Sequence, residues 1–187
     1  MVPFIAAIMA AFFLTFLGAL IAGLGARDQM LVAELSARRG PGLGLLVTAV
    51  SVAAASAGIA GWAGELVAPQ LLPRARIVLV AMALGLAAIE LIVLRPRRRA
   101  AEPTESLGAL AVVLLAHQLT DASRLLVFAL AAASAFPVFA MLGGMAGCTL
   151  SMAAGWGGGD ALLRLPLGWL RAGLGVVLAL VAAYLVI

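Results

Sequence analysis

The residues best equipped for chemistry sit in one short run, Gln118-Leu119-Thr120-Asp121-Ala122-Ser123-Arg124. It places a carboxylate, an amide, two hydroxyls and a guanidinium inside an otherwise apolar stretch, 107–133. On a continuous helix His117 and Asp121, four apart, and Gln118 and Asp121, three apart, share a face that Thr120 and Ser123 widen. Oxygen donors of this kind suit a hard divalent cation such as calcium or manganese, with Asp121 and Gln118 as ligands. His117 beside a carboxylate could instead relay a proton, because its pKa is easily moved across neutrality. The plainer reading is that Asp121 and Arg124, three apart, neutralise each other.

A weaker counterpart lies at Gly23-Leu24-Gly25-Ala26-Arg27-Asp28-Gln29. Gly23 and Gly25 permit a local helix break, where half-helix ends could offer backbone groups to an ion. Asp28 is the acidic candidate here, with Arg27 and Gln29 beside it. Since Gln29, Glu34 and Arg38 follow, Asp28 could equally lie in the membrane interface. A third arrangement pairs Arg27 with Asp121, so that a salt bridge fills the space of a cation. Glu34 and Arg38, four apart, suggest that the first helix runs on to Arg38.

Nothing here looks like an enzyme. The single histidine excludes a histidine cluster for zinc. The single cysteine, Cys148, excludes a disulfide framework within the chain and a cysteine-based metal site. No cofactor is expected.

These polar residues must be positioned by a chain that is 65% apolar and 11% charged, with a mean hydropathy of +1.20. That composition describes a multi-pass membrane protein whose main partner is the lipid bilayer. The pI near 11.0 does not signal nucleic acid, because most arginines flank apolar spans. A helix needs about 20 apolar residues to cross the hydrocarbon core. Six segments qualify, roughly 2–26, 43–63, 77–94, 107–133, 136–156 and 167–187. The fold class expected is therefore all-α and integral to the membrane. Residues 1–94 and 107–187 form two three-helix units, joined by an arginine-rich linker at 95–106. Charge bias puts that linker on the cytoplasmic side with Arg38, Arg39, Arg164 and Arg171, and both termini outside. Gly157-Gly158-Gly159 reads as a turn.

Offsetting the chain against itself by 95 residues aligns Leu24 with Leu119, Val32 with Val127, Ser56 with Ser151, Glu65 with Asp160 and Arg76 with Arg171, without a gap. Units with an odd number of spans insert in opposite orientations. Inverted repeats of this sort characterise secondary transporters, with the substrate site near the midplane between the repeats. The two polar runs occupy equivalent positions. Elsewhere, Glu90 is expected to snorkel to the surface. Gly143 with Gly147, and the small face Ser51, Ala55 and Gly58, are expected to let helices approach closely.

The two runs resemble the paired Glu-x-Gly-Asp-Lys/Arg-Thr/Ser-Gln motifs of the GDT-type cation transporters, uncharacterised protein family sixteen. In the second run Asp121 and Ser123 match, Gln118 stands at the glutamate and Thr120 at the glycine, and Ala122 and Arg124 depart from the pattern. In the first, Gly25, Arg27 and Gln29 match, while Gly23, Ala26 and Asp28 stand at the glutamate, aspartate and hydroxyl positions. Of the four motif carboxylates only Asp121 is in place, with Asp28 a displaced substitute. The resemblance implies a bacterial inner-membrane exporter of manganese or calcium in exchange for protons, with its ion between the repeats. Two alternatives stand beside it. One is a non-transporting paralogue serving as scaffold or partner subunit. The other is a LysE-like exporter of a small organic solute, with Arg27 or Arg124 on a carboxylate. A homo-oligomer is compatible with either.

Overall fold

A computed structural model describes residues 2–93 and 106–187; the linker arginines 95–99 lie outside the described residues. Among those described, every regular element is helical: α1 (Val2–Gly23), α2 (Arg27–Arg39), α3 (Leu43–Val67), α4 (Pro73–Val93), α5 (Leu107–Gln118), α6 (Ala122–Ala133), α7 (Pro137–Leu163) and α8 (Gly168–Val186). Lipid cannot satisfy free backbone groups, so apolar runs of this length must close their hydrogen bonds internally. Five helices (α1, α3 with the short 3-10 turn that follows it, α4, α7 and α8) are long and apolar enough to cross a membrane. Counting α5 and α6 as one bent span raises the number to six.

Local chemistry sets the ends. Pro73 and Pro137 open α4 and α7, at positions where a missing N–H costs no hydrogen bond. Ser106 caps α5 by accepting from the Ala109 amide at 3.1 Å. Several spans outrun their expected limits: α3 continues to Val67 and α7 to Leu163. The triple glycine is thus not a free turn but part of α7, which kinks at Gly159.

The helices α3 and α7 form an antiparallel central pair: Gly61 meets Met141, Gly58 meets Met145, and Trp156 Nε1 donates to Gly42 O. Each carries a partner that runs parallel to it. Along α7, Gly143 meets Phe12 and Gly147 meets Phe16, and further on Ser36 Oγ donates to Trp156 O. Along α3, Gly44 meets Leu107 and Gly64 meets Phe128. The α4·α8 pair packs outside, with α4 against α6.

In a bilayer, helix association relies on close packing rather than on the hydrophobic effect, so small residues line such interfaces. A Cβ on Gly143 would overlap the Phe12 carbonyl, and the expected role of Gly143 and Gly147 holds. On α3 the expected face is one register off. Ser51 and Ala55 are exposed, while Ala49, Ala53, Ala57, Gly61 and Gly64 are buried. Large apolar side chains face outward instead, among them Val47, Ile59 and Trp62 on α3 and Met82, Leu86 and Ile89 on α4.

The element boundaries recur at a spacing of 95 residues. Helices α1 and α5 end at Gly23 and Gln118, α2 and α6 begin at Arg27 and Ala122, and α4 and α8 begin at Pro73 and Gly168.

Candidate functional site

Both polar runs are helix breaks. The first is a three-residue gap, Leu24 to Ala26, in which Gly25 adopts φ +71°, a left-handed conformation that other residues reach only with strain. The second is Leu119 to Asp121, where the chain bends by 58° between α5 and α6. Asp121 leaves the helix with φ −76° and ψ 140° and caps α6, accepting from the Ser123 amide at 3.1 Å. Depth follows from the neighbours. Ser56 and Ser151, which touch the two breaks, lie one residue past the centres of α3 and α7.

The breaks bring three charges together. Arg124 Nη1 lies 3.1 Å from Asp121 Oδ2 and 3.3 Å from Asp28 Oδ2, with all three residues at least 95% buried. The guanidinium also donates to Ser123 Oγ at 2.8 Å, and through Nε to Ser56 Oγ at 3.1 Å. Ser123 Oγ bonds Asp121 Oδ2 in turn. The Ser56 hydroxyl donates to Gln118 Oε1 at 2.7 Å, and the Gln29 amide donates to Asp28 Oδ1 at 2.8 Å. The α2 and α6 N-termini, where partial positive charge favours anions, hold the two aspartates. Removing one partner from such a buried pair costs about 3–5 kcal/mol, because the remaining charge is stranded.

A related arrangement surrounds Gln29. Its Nε2 donates to Ser151 O at 2.8 Å and Ser151 Oγ at 3.1 Å, and its Oε1 accepts from the Gly25 amide at 2.7 Å. Positions 29 and 124 are 95 apart, as are serines 56 and 151. Each side chain therefore crosses to the serine of the other half of the chain. Ser56 and Ser151 aligned in the sequence offset, but their role was missed because nothing local marks them as polar-site residues.

The expected site residues divide. Asp28, Gln29, Gln118, Asp121 and Ser123 are buried around the two breaks. Asp28 is 1% exposed and meets Arg124, which bonds Ser56 near the middle of α3. Thr120 points outward and is exposed, and Arg27 and His117 are half-buried. His117 and Asp121 do not share a helical face, because the break between them interrupts the repeat of the helix on which that spacing relied. The cation between the aspartates is Arg124, not Arg27. Asp121 and Arg124 do neutralise each other, but as part of a group of three. Among the described residues, no three His, Cys, Asp or Glu side chains gather as a metal cage. The set Asp121, Gln118 and Asp28 thus offers two carboxylates and an amide, with a guanidinium already between the carboxylates.

A second buried pair escaped the sequence. Glu90 does not snorkel: both its oxygens accept from Arg171 Nη2, at 3.0 and 2.8 Å, and both residues are buried. Arg171 accordingly is not a surface flank of α8. The sequence holds no signal for this pairing, since the partners are 81 residues apart and meet only where α4 packs on α8.

No family model matches this chain, and no curated protein or solved structure gives a significant match to it.

Proposed function

We propose that the protein is a secondary membrane transporter built as two inverted three-helix units, carrying a cation through the cluster of Asp28, Arg124 and Asp121 between them. The observation that carries this reading is the charge count at the meeting of two broken helices. Two carboxyl groups face one guanidinium at mid-span depth, one more than the guanidinium can neutralise. Ionisable residues in a span are costly and mark ion or proton pathways. Broken helices meeting between repeats are where secondary transporters bind their substrates. The boundaries recurring at 95 residues, and the crossed contacts Gln29–Ser151 and Arg124–Ser56, support the repeat.

In this reading Arg124 is a built-in competitor. An arriving cation takes the aspartate oxygens as the guanidinium withdraws, and the same exchange in reverse releases it. Asp121 is the principal ligand, with Asp28 and Gln118 completing the set. The GDT-type resemblance names manganese or calcium as cargo and protons as counter-flux. The charge bias sets the α2 end, with Arg38 and Arg39, on the cytoplasmic side of a bacterial inner membrane. Expression in a strain that lacks its manganese and calcium exporters tests the reading. Wild type should restore growth under metal stress and Asp121→Ala should not; equal growth of the two counts against cation export.

One observation favours a second reading. Arg124 bridges both aspartates at once and is itself bonded to two serines, which is how a permanent salt bridge in a non-transporting scaffold would look.

A further inference from the structure

The pair Glu90–Arg171 is present once, although the chain pairs so many positions at a spacing of 95. Position 185, equivalent to Glu90, is a leucine. Arg76, equivalent to Arg171, is half-buried and, among the described residues, has no carboxylate beside it; it donates to Ala133 O at 2.9 Å. The buried pair therefore answers a need of one region only, and its contacts identify that region. While Arg171 Nη2 holds Glu90, Nη1 lies 3.4 Å from Ala22 O and 3.5 Å from Leu24 O, the carbonyls freed where α1 stops. A guanidinium there complements the negative end of a broken helix. The Arg171 side chain also runs beside Gly25, the residue that makes the turn. Glu90 sits on α4, which packs against α6, the helix that opens at the second break. One ion pair thus ties the first break, through Arg171, to the helix that packs on α6, from helices α4 and α8 that belong to different halves of the chain.

We propose that Glu90 and Arg171 are positioning residues that hold the two breaks closed over the Asp28–Arg124–Asp121 cluster, so that opening the cluster requires Arg171 to leave the Ala22 and Leu24 carbonyls. The inference rests on reading that cluster as a transport site. Its chemistry differs from that of a simple tie between α4 and α8. The ion pair alone needs opposite charges at the two positions in either order. Holding α1 needs a donor at position 171, because a carboxylate there would face carbonyl oxygens.

The chain supplies its own reporter. Cys148, its only cysteine, is 1% exposed on α7 and lies within electrostatic reach of Ser123 and Arg124. The experiment measures the labelling rate of Cys148 by a small charged methanethiosulfonate in proteoliposomes, for wild type and for Glu90→Arg/Arg171→Glu. The exchanged pair keeps opposite charges and is expected to stay monodisperse, yet to label at least about tenfold faster, since the charged hydrogen bonds from Arg171 to the Ala22 and Leu24 carbonyls are lost from the closed arrangement. Labelling at the wild-type rate would overturn the proposal. If the exchanged protein does not fold, Glu90→Leu/Arg171→Leu, which strands no charge and leaves no donor at position 171, is read by the same two outcomes. Manganese and calcium flux in the same vesicles separates the two ideas. Faster labelling with no wild-type flux overturns the transporter reading alone, whereas wild-type flux with unchanged labelling overturns the gate alone.

Discussion

The break between α1 and α2 and the break between α5 and α6 share a location and differ in how they are held. The first has an amide at its pivot: Gln29 joins Ser151 to the Gly25 amide, Ala26 precedes α2 with no side-chain cap, and Arg171 reaches the break only from α8. The second is charged: Asp121 caps α6, and the position equivalent to Gln29 is Arg124, which gathers both aspartates. Equivalent positions thus carry an amide at one break and the centre of an ion cluster at the other. The extra cost of burying charge at the second break points to something beyond holding it.

Breaking each side separately sharpens that contrast. The largest effect is expected at Arg124→Leu, which strands two buried carboxylates and should destabilise by about 3–5 kcal/mol. The unfolding transition in detergent measures it, and adding Asp28→Asn should recover part of the loss. A smaller effect is expected at Gln29→Ala, which orphans the Gly25 amide at about 1–3 kcal/mol, with ion flux reduced rather than abolished. The smallest difference lies between the serines. Ser56→Ala removes a bond from a charged donor and should cost about 1.5–3 kcal/mol, against about 0.5–1.5 for Ser151→Ala. Equal melting shifts for the two serine variants would mean that the two breaks are energetically alike, and the contrast would fail.

How much of this was legible follows from which interactions are local. Span positions were readable because apolar length is a property of contiguous sequence, and the breaks because Gly25 and the polar runs interrupt it. The limits that apolar length gives α3 and α7 fall short of the observed ones, since glycine and glutamate near a span end do not stop a helix that neighbours support. The face shared by His117 and Asp121 was lost because helical spacing carries no meaning across a break. Arg171 was placed at the surface by charge bias alone. Its burial depends on Glu90, from a helix in the other half of the chain, and no spacing rule connects the two. The same holds for Ser56 and Ser151, whose hydroxyls matter only through the side chains that cross to them.

The central claim is that the Asp28–Arg124–Asp121 cluster takes a cation in place of its own guanidinium. Manganese and calcium uptake into proteoliposomes tests it most directly, comparing wild type with Asp121→Arg/Arg124→Asp. The account predicts flux above empty vesicles for wild type and none for the exchanged pair, with both proteins folded. Flux that survives the exchange, or its absence from folded wild type, would contradict it.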